Sequence, residues 1–489
     1  MRSDPVTSGQ VNNVSTQSSS HVATNNATAR IAETAATLRL DSLPSHVIER
    51  AKDLVLDHLG VTLYGTLLPW SQHVRAIVIS EGGAKESSLY GGDHGVPARA
   101  AALANGAAAH AIEFDDTHDE SLNHPGAVIM PTAIAMAEAL ERSGSELIAA
   151  IVAGYETQCR IGSALGSDLI RYGFHPTATC GVFGSAAAAG SLLRLDTAKM
   201  IGALGLCGSM SSGSMQFSED PLGTMIKRLH AGLPAERGVL AAKLSANGFT
   251  GPRNAIEGQW GFARAFARQE QLDRITLGLG EQFEIERITV KLYPCCKMFH
   301  SLIEAIETCQ REHEFEADDI ARIEPFGPRN MMDTHMEYRP RSTMSAQYSL
   351  PYACAAAIVL NPSDPDAYNE KARALESVRK IMDLVEPSVS DELEAMFPRR
   401  FAAGVRITLR SGKVLAHTVL DARSSPDVPI GREEIQSKFR TLTSAMLSPD
   451  EQQRMIDLVV NLDQMSSIRE LRHLLRSAAC PNSTGTFGN

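Results

Sequence analysis

The chain has 489 residues, of which 43% are hydrophobic and 21% charged, so it can bury a large core and is neither a small stapled module nor a disordered polymer. Its 46 basic and 57 acidic residues leave a net charge of -11 with no basic block, which argues against a phosphate-tracking nucleic-acid surface. No apolar run reaches the roughly 18 to 20 residues of a membrane span, and eight cysteines without paired CxxC spacing fit a reduced compartment better than a disulfide framework.

Residues 1–30 are rich in Ser, Thr and Asn and read as a disordered tail. Their low acid content suits a mitochondrial presequence, but only Arg2 and Arg30 supply positive charge, so the cytoplasm is the expected compartment and the mitochondrial matrix the second choice. From Ile31 the pattern is helical. In Pro44 to Leu59, Val47, Ala51, Leu54 and Val55 mark one face, and Gly60 is expected to stop or break the helix. Alanine-dense helices follow over 98–112, 126–140, 145–164 and 182–193. Their small side chains predict close packing in a large helical domain spanning 31–270.

The character changes near residue 271. Phe283 to Leu292 alternates as a strand, Val405 to Leu409 and Val414 to Leu420 flank the turn Ser411-Gly412 as a hairpin, and Ser301 to Glu312 and Ala346 to Val359 read as helices. Residues 271–430 therefore form a smaller α+β domain. Helices over 433–447 and 449–462 place 431–475 back with the large domain, and 476–489 read as a flexible tail. The expected fold class is mainly α, with a large all-helical domain built from both chain ends.

The densest polar cluster is Glu113-Phe-Asp-Asp-Thr-His-Asp-Glu-Ser-Leu-Asn-His-Pro125, between two alanine-rich helices. Asp115 to Asp119 has the DDxxD spacing of the terpene-synthase magnesium motif. The second metal motif of that family is missing and aromatic residues amount to only 5%, so no metal is expected. On pattern alone, Asp115, Asp119 and Glu120 read as solvated acids at helix ends. His124 and His175 each precede a proline that suits a helix start, which would set the imidazole beside N–H donors that favour anions. Lys227 has the pattern of an ordinary solvated helix residue. Lys291 ends the alternating segment at Lys291-Leu-Tyr-Pro-Cys-Cys296, where Cys295 and Cys296 read as small buried filler. No GxGxxG or P-loop follows a strand, and no GxSxG elbow is present.

The series Asn105-Gly, His110-Ala-Ile-Glu-Phe-Asp-Asp-Thr117, His124-Pro, Gly173-Phe-His-Pro, Lys227-Arg-Leu-His-Ala-Gly232 and Lys291-Leu-Tyr-Pro-Cys-Cys resembles the MmgE/PrpD family from about residue 30 to 470. That family includes 2-methylcitrate dehydratases, cis-aconitate decarboxylases and an iminodisuccinate epimerase. The resemblance implies a homodimer with a cofactor-free pocket between the helical domain and the smaller domain, which acts as a lid. It points to His124, His175 and Lys227 as catalytic residues and to Glu113, Thr117, Lys291, Cys296 and Tyr338 as substrate-binding ones. Cys296 stands where the animal decarboxylases have a histidine, and the Lys-Leu-Tyr-x-Cys-Cys form and Pro69-Trp-Ser71 are similar to the fungal decarboxylases. The implied function is decarboxylation of cis-aconitate or a close analogue through an allylic carbanion. Dehydration of 2-methylcitrate or another alkylcitrate is the alternative, followed by iminodisuccinate-type epimerisation and a non-catalytic helical dimer.

Overall fold

Small residues at contact positions decide how the helices pack. In the computed structural model, which describes residues 26–220, 224–397 and 399–478, the Ala98–Ala109 helix lies against the Ile226–Ala246 helix at Gly106 and Gly232. A methyl group built on Gly106 would come 2.9 Å from the Gly232 Cα, so neither position has room for a side chain. The apolar Pro176–Leu192 helix is buried along almost its whole length between the Gly144–Leu165 and Ile226–Ala246 helices. Helices Arg432–Thr443 and Pro449–Val460 pack on the Ser45–Thr66 helix, so the C-terminal segment joins the same apolar core as residues 27–290.

A second apolar cluster is formed by residues 293–415. Its four-stranded sheet has the order Ser388–Val389, Ile320–Gly327, Ala403–Leu409, Val414–Val419, parallel in the first pair and antiparallel in the other two. The expected hairpin is present, with Gly412 at φ 87° in its turn. Helices His300–Glu312 and Leu350–Val359 pack together, the former also against the last two strands. The fold is mainly α.

Four local expectations are corrected. Gly60 does not stop its helix, which runs from Ser45 to Thr66 because Gly60 sits against Phe439 and lets the Arg432–Thr443 helix approach. Phe283 to Leu292 is not one long strand. Buried Arg160 takes the carbonyls of Leu277 and Gln282, and Glu156 accepts from the Glu284 N–H, so the chain forms a 3₁₀ turn at Glu284–Arg287 and only two strand residues, Ile288–Thr289. The helix over 346–359 is interrupted at Tyr348, and Ser349 caps a new helix beginning at Leu350. The expected tails lie largely outside the described residues; at their inner ends the chain is helical, over Ala27–Thr37 and Arg469–Ser477.

Candidate active site

Strand Ile288–Thr289 pairs with Thr117–His118, tying the segment that carries Lys291 to the polar loop after the Ala98–Ala109 helix. That loop contains two non-glycine residues in the left-handed region, Glu113 at φ 56° and Leu122 at φ 54°. Such conformations cost of order 1–3 kcal/mol each and persist where surrounding contacts over-determine them. At Glu113 those contacts are evident. Lys227 and Arg228 both donate to Oε1, the latter at 2.8 Å; Tyr348 Oη donates to Oε2 at 3.1 Å; Lys291 Nζ donates to the Glu113 carbonyl at 3.0 Å and stands 3.5 Å from Oε2. Burial pushes the Glu113 carboxyl up, but Lys227, Lys291 and Arg228 outweigh it and hold it well below the usual range. Burial pushes the Lys227 ammonium down, opposed by Glu113.

Glu113, Lys227, Lys291 and Tyr348 line a cavity of about 850 Å³ together with Thr117, His124, His175 and Cys296. Seven of the eight residues singled out from the sequence therefore meet in one place. Tyr338 does not: its hydroxyl donates to the Val385 carbonyl at 2.7 Å, and it lines a separate, smaller cavity. Tyr348, ten residues on, reaches the main cavity instead because the Thr343–Gln347 helix ends there and turns it toward Glu113. Thr117 is buried, with its hydroxyl donated to Asp119. Cys296 is buried, and burial pushes its thiol up. Lys227 lies in the first turn of the Ile226–Ala246 helix and is 1% exposed, not solvated as its local pattern suggests.

His124 and His175 also line the cavity, backed by His110 and His230. His175 is the N-cap residue of the Pro176–Leu192 helix, and His124 precedes Pro125 at the start of Gly126–Ala139; neither side chain caps its helix. His175 Nδ1 lies 3.2 Å from His230 Nδ1, a distance at which one proton is shared between two neutral rings. Burial first and Lys227 second push His175 well below the usual histidine range and His230 down to about 4. His110 stacks on His175 at 5.9 Å and meets His124 edge-on at 4.9 Å. Asp115 is 4% exposed, not solvated as its sequence position suggests. Its Oδ2 is 2.7 Å from His110 Nδ1 and 3.2 Å from His124 Nδ1.

His110, Asp115 and His124 are close enough to be considered as ligands for a metal ion. Nitrogen and oxygen ligands around a tetrahedral ion with bonds of about 2.0–2.1 Å stand roughly 3.3 Å apart. The 2.7 Å separation of His110 and Asp115 is instead that of a charge-assisted hydrogen bond.

Sequence reasoning overlooked Arg228, His230, Tyr348 and the buried pairing of His110 with Asp115. All but Tyr348 lie inside the quoted motifs, adjacent to or within a few residues of those singled out.

A family model described as the MmgE/PrpD N-terminal domain matches residues 29–275, and the MmgE/PrpD C-terminal domain matches 293–464. A protein named cis-aconitate decarboxylase from Aspergillus terreus (strain NIH 2624 / FGSC A1156) is 31% identical, the alignment covering 95% of this chain and 98% of the relative. A cis-aconitate decarboxylase-like protein, oryM, from Aspergillus oryzae is 28% identical over 92% and 97% of the two chains. The human cis-aconitate decarboxylase is 27% identical over 91% and 93%. Among the described residues no helix is long and apolar enough to cross a membrane.

Proposed function

The chain belongs to the MmgE/PrpD family, and from that premise we propose that it decarboxylates cis-aconitate without an organic cofactor. The observation that carries the reading is the convergence of Lys227, Arg228 and Lys291 on one buried glutamate, an excess of two positive charges beside a cavity that Lys227, Lys291, His124 and His175 line. A tricarboxylate is drawn to this local field despite the overall charge of -11, because nearby charges in a low-dielectric cleft outweigh distant ones.

Loss of CO2 from the methylene-bound carboxylate leaves an electron pair on the allylic carbons. It delocalises toward the carboxylate on the far alkene carbon, and the fixed ammonium groups stabilise that developing charge. Protonation of the far carbon moves the double bond and gives itaconate. One proton enters, one CO2 leaves, and no electron sink is required. His124 is assigned as the donor, with His175 second. His175 is held neutral by burial and Lys227, which makes it the poorer acid store.

The test is incubation with cis-aconitate in D2O with mass spectrometry of the products. The reading expects CO2 release and one deuterium in the saturated CH2 formed from the alkene CH, with none in the terminal =CH2; water loss from 2-methylcitrate without CO2 release from cis-aconitate overturns it. His124→Ala is expected to lower kcat by roughly 10²- to 10⁴-fold with a smaller change in KM. The homodimer expected from the family is part of the same proposal, and light scattering of the purified chain tests it.

A further inference from the structure

Among the described residues most buried carboxylates are matched by a cation or by hydrogen bonds to both oxygens, but Asp115, like Glu138, is not. Its Oδ2 serves two imidazoles, His110 at 2.7 Å and His124 at 3.2 Å, while Oδ1 has no hydrogen-bond partner among the described residues. The two rings approach differently. His110 makes a well-formed bond through Nδ1 and is completely buried, whereas His124 is 13% exposed toward the cavity and lies off the line of a straight hydrogen bond. His110 therefore fixes the carboxylate, and His124 is the ring beside it that opens to the cavity.

We propose that Asp115 is a positioning residue that keeps the proton of His124 on Nδ1 and supplies the counter-charge for its imidazolium, with His110 locking the carboxylate in place. The inference rests on the reading of His124 as the proton donor. A ring that must deliver a proton to carbon has to be recharged after each turnover. The rings of His110 and His175 stand 4.9 and 6.3 Å from that of His124, and among the described residues Asp115 is the acid within ion-pair distance of it. With Nδ1 3.2 Å from Asp115 Oδ2, where the negative charge rather than a formed hydrogen bond favours a proton, the Nε2 atom is left to exchange the catalytic proton with the cavity. The same arrangement gives a use to an acid that the loop buries at a cost in desolvation.

The experiment compares wild type with Asp115→Asn, which keeps the shape and removes the charge. Nitrogen-15 NMR of labelled histidine, with the His124 resonances assigned from His124→Gln, reads tautomer and protonation without reference to turnover. The expected result is a protonated Nδ1 at His124 in the wild type and a mixture of neutral tautomers in D115N. In parallel, kcat on cis-aconitate is expected to fall roughly 10- to 100-fold, a fraction of what a positioned general acid supplies, while KM changes less than about threefold. Unchanged His124 resonances in D115N overturn the proposal, and so does an unchanged kcat in an enzyme whose wild type is active. If the wild type releases no CO2 from cis-aconitate, the functional reading fails while the NMR comparison still decides the role of Asp115. His110→Asn provides a second variant should D115N not fold: it is expected to broaden or shift the His124 resonances by releasing the carboxylate, and unaltered resonances overturn the locking role.

Discussion

Glu113 and Lys227 form an ion pair in which each side chain is only 1% exposed, and among the described residues Glu113 is the sole acid within ion-pair distance of that lysine. Removing one member of a buried pair leaves an uncompensated charge, at a cost of roughly 3–5 kcal/mol. Glu113→Gln strands Arg228 and Lys291 as well, so it is expected to destabilise the fold by at least that amount in urea unfolding. Glu113→Gln combined with Lys227→Met should recover part of the loss, giving a coupling energy that a double-mutant cycle reads directly. The pH dependence follows from the lowered carboxyl of Glu113. Its stabilisation is fully present above the ordinary glutamate pKa of 4.5 and disappears only as pH falls through the lower native value.

Asp116, next to the proposed positioning residue, has the opposite sign. Burial pushes its carboxyl up to about 7, although Tyr155 Oη donates to Oδ2 at 2.6 Å and the Gly126 N–H to Oδ1 at 2.8 Å. A raised native value means that the folded state holds the proton more tightly than the unfolded chain. The resulting stabilisation is complete below the ordinary aspartate value of 3.8 and is lost as pH rises through about 7. Asp116→Asn keeps a neutral group of the same shape, with the Tyr155 hydroxyl free to turn and accept. Urea midpoints measured from pH 5 to 8 should therefore decline less in D116N than in the wild type, and parallel curves would refute the assignment.

Much of this site is legible in the sequence because short motifs carry it. Pro after His124 and His175 announces two helix starts, and the Lys-Leu-Tyr-Pro-Cys-Cys turn marks Lys291. Those signals do not report depth. Asp115 and Lys227 have the local pattern of solvated residues, and it is tertiary packing, with His110 and His124 on the one and Glu113 and Tyr348 on the other, that buries them. Tyr348 falls in the stretch 346–359 that the pattern reads as one helix, so the break there that turns it toward Glu113, in place of Tyr338, does not show in the sequence. Likewise, the alternation over 283–292 is real, but competition from Glu156 and Arg160 for its backbone groups is invisible in a linear reading. The hairpin at 403–419 is predicted well because its turn and both strands are contiguous in the chain.

Gly126 begins the helix that follows His124, and space there is already filled. A methyl group at this position would stand 2.6 and 2.7 Å from the Asp116 carboxylate oxygens and 2.7 Å from the Tyr155 hydroxyl. Gly126→Ala therefore forces the helix start away from Asp116 and carries Pro125 and His124 with it. The expected outcome is a loss of roughly 1–3 kcal/mol of stability together with a fall in kcat, because a displacement of about 1 Å in a catalytic group can cost 10²-fold. Thermal unfolding and steady-state kinetics on the same preparation check both parts, and a kcat equal to wild type would separate the helix start from the chemistry.

Cys296 borders the cavity, so its thiol invites the reading of a nucleophile, and two observations oppose that. Burial raises the thiol, which keeps it protonated at neutral pH, and the residue is only 9% exposed. Thiolate is the reactive form of cysteine, so a buried thiol with a raised pKa is slow toward electrophiles. Its backbone is also committed: the N–H donates to the Gln347 carbonyl at 2.9 Å, while the Gln347 side chain donates to Ile112 and Pro294 and accepts from Arg228. Cys296 thus helps to join the segment carrying Lys291 to the one carrying Tyr348. Cys296→Ser preserves that backbone link and is expected to keep kcat within a few-fold of wild type. Iodoacetamide should label the native protein at Cys296 much more slowly than the urea-unfolded chain. Rapid labelling accompanied by loss of turnover, or a drop of 10²-fold or more in C296S, would instead give the thiol a direct part in the proton transfer assigned here to His124.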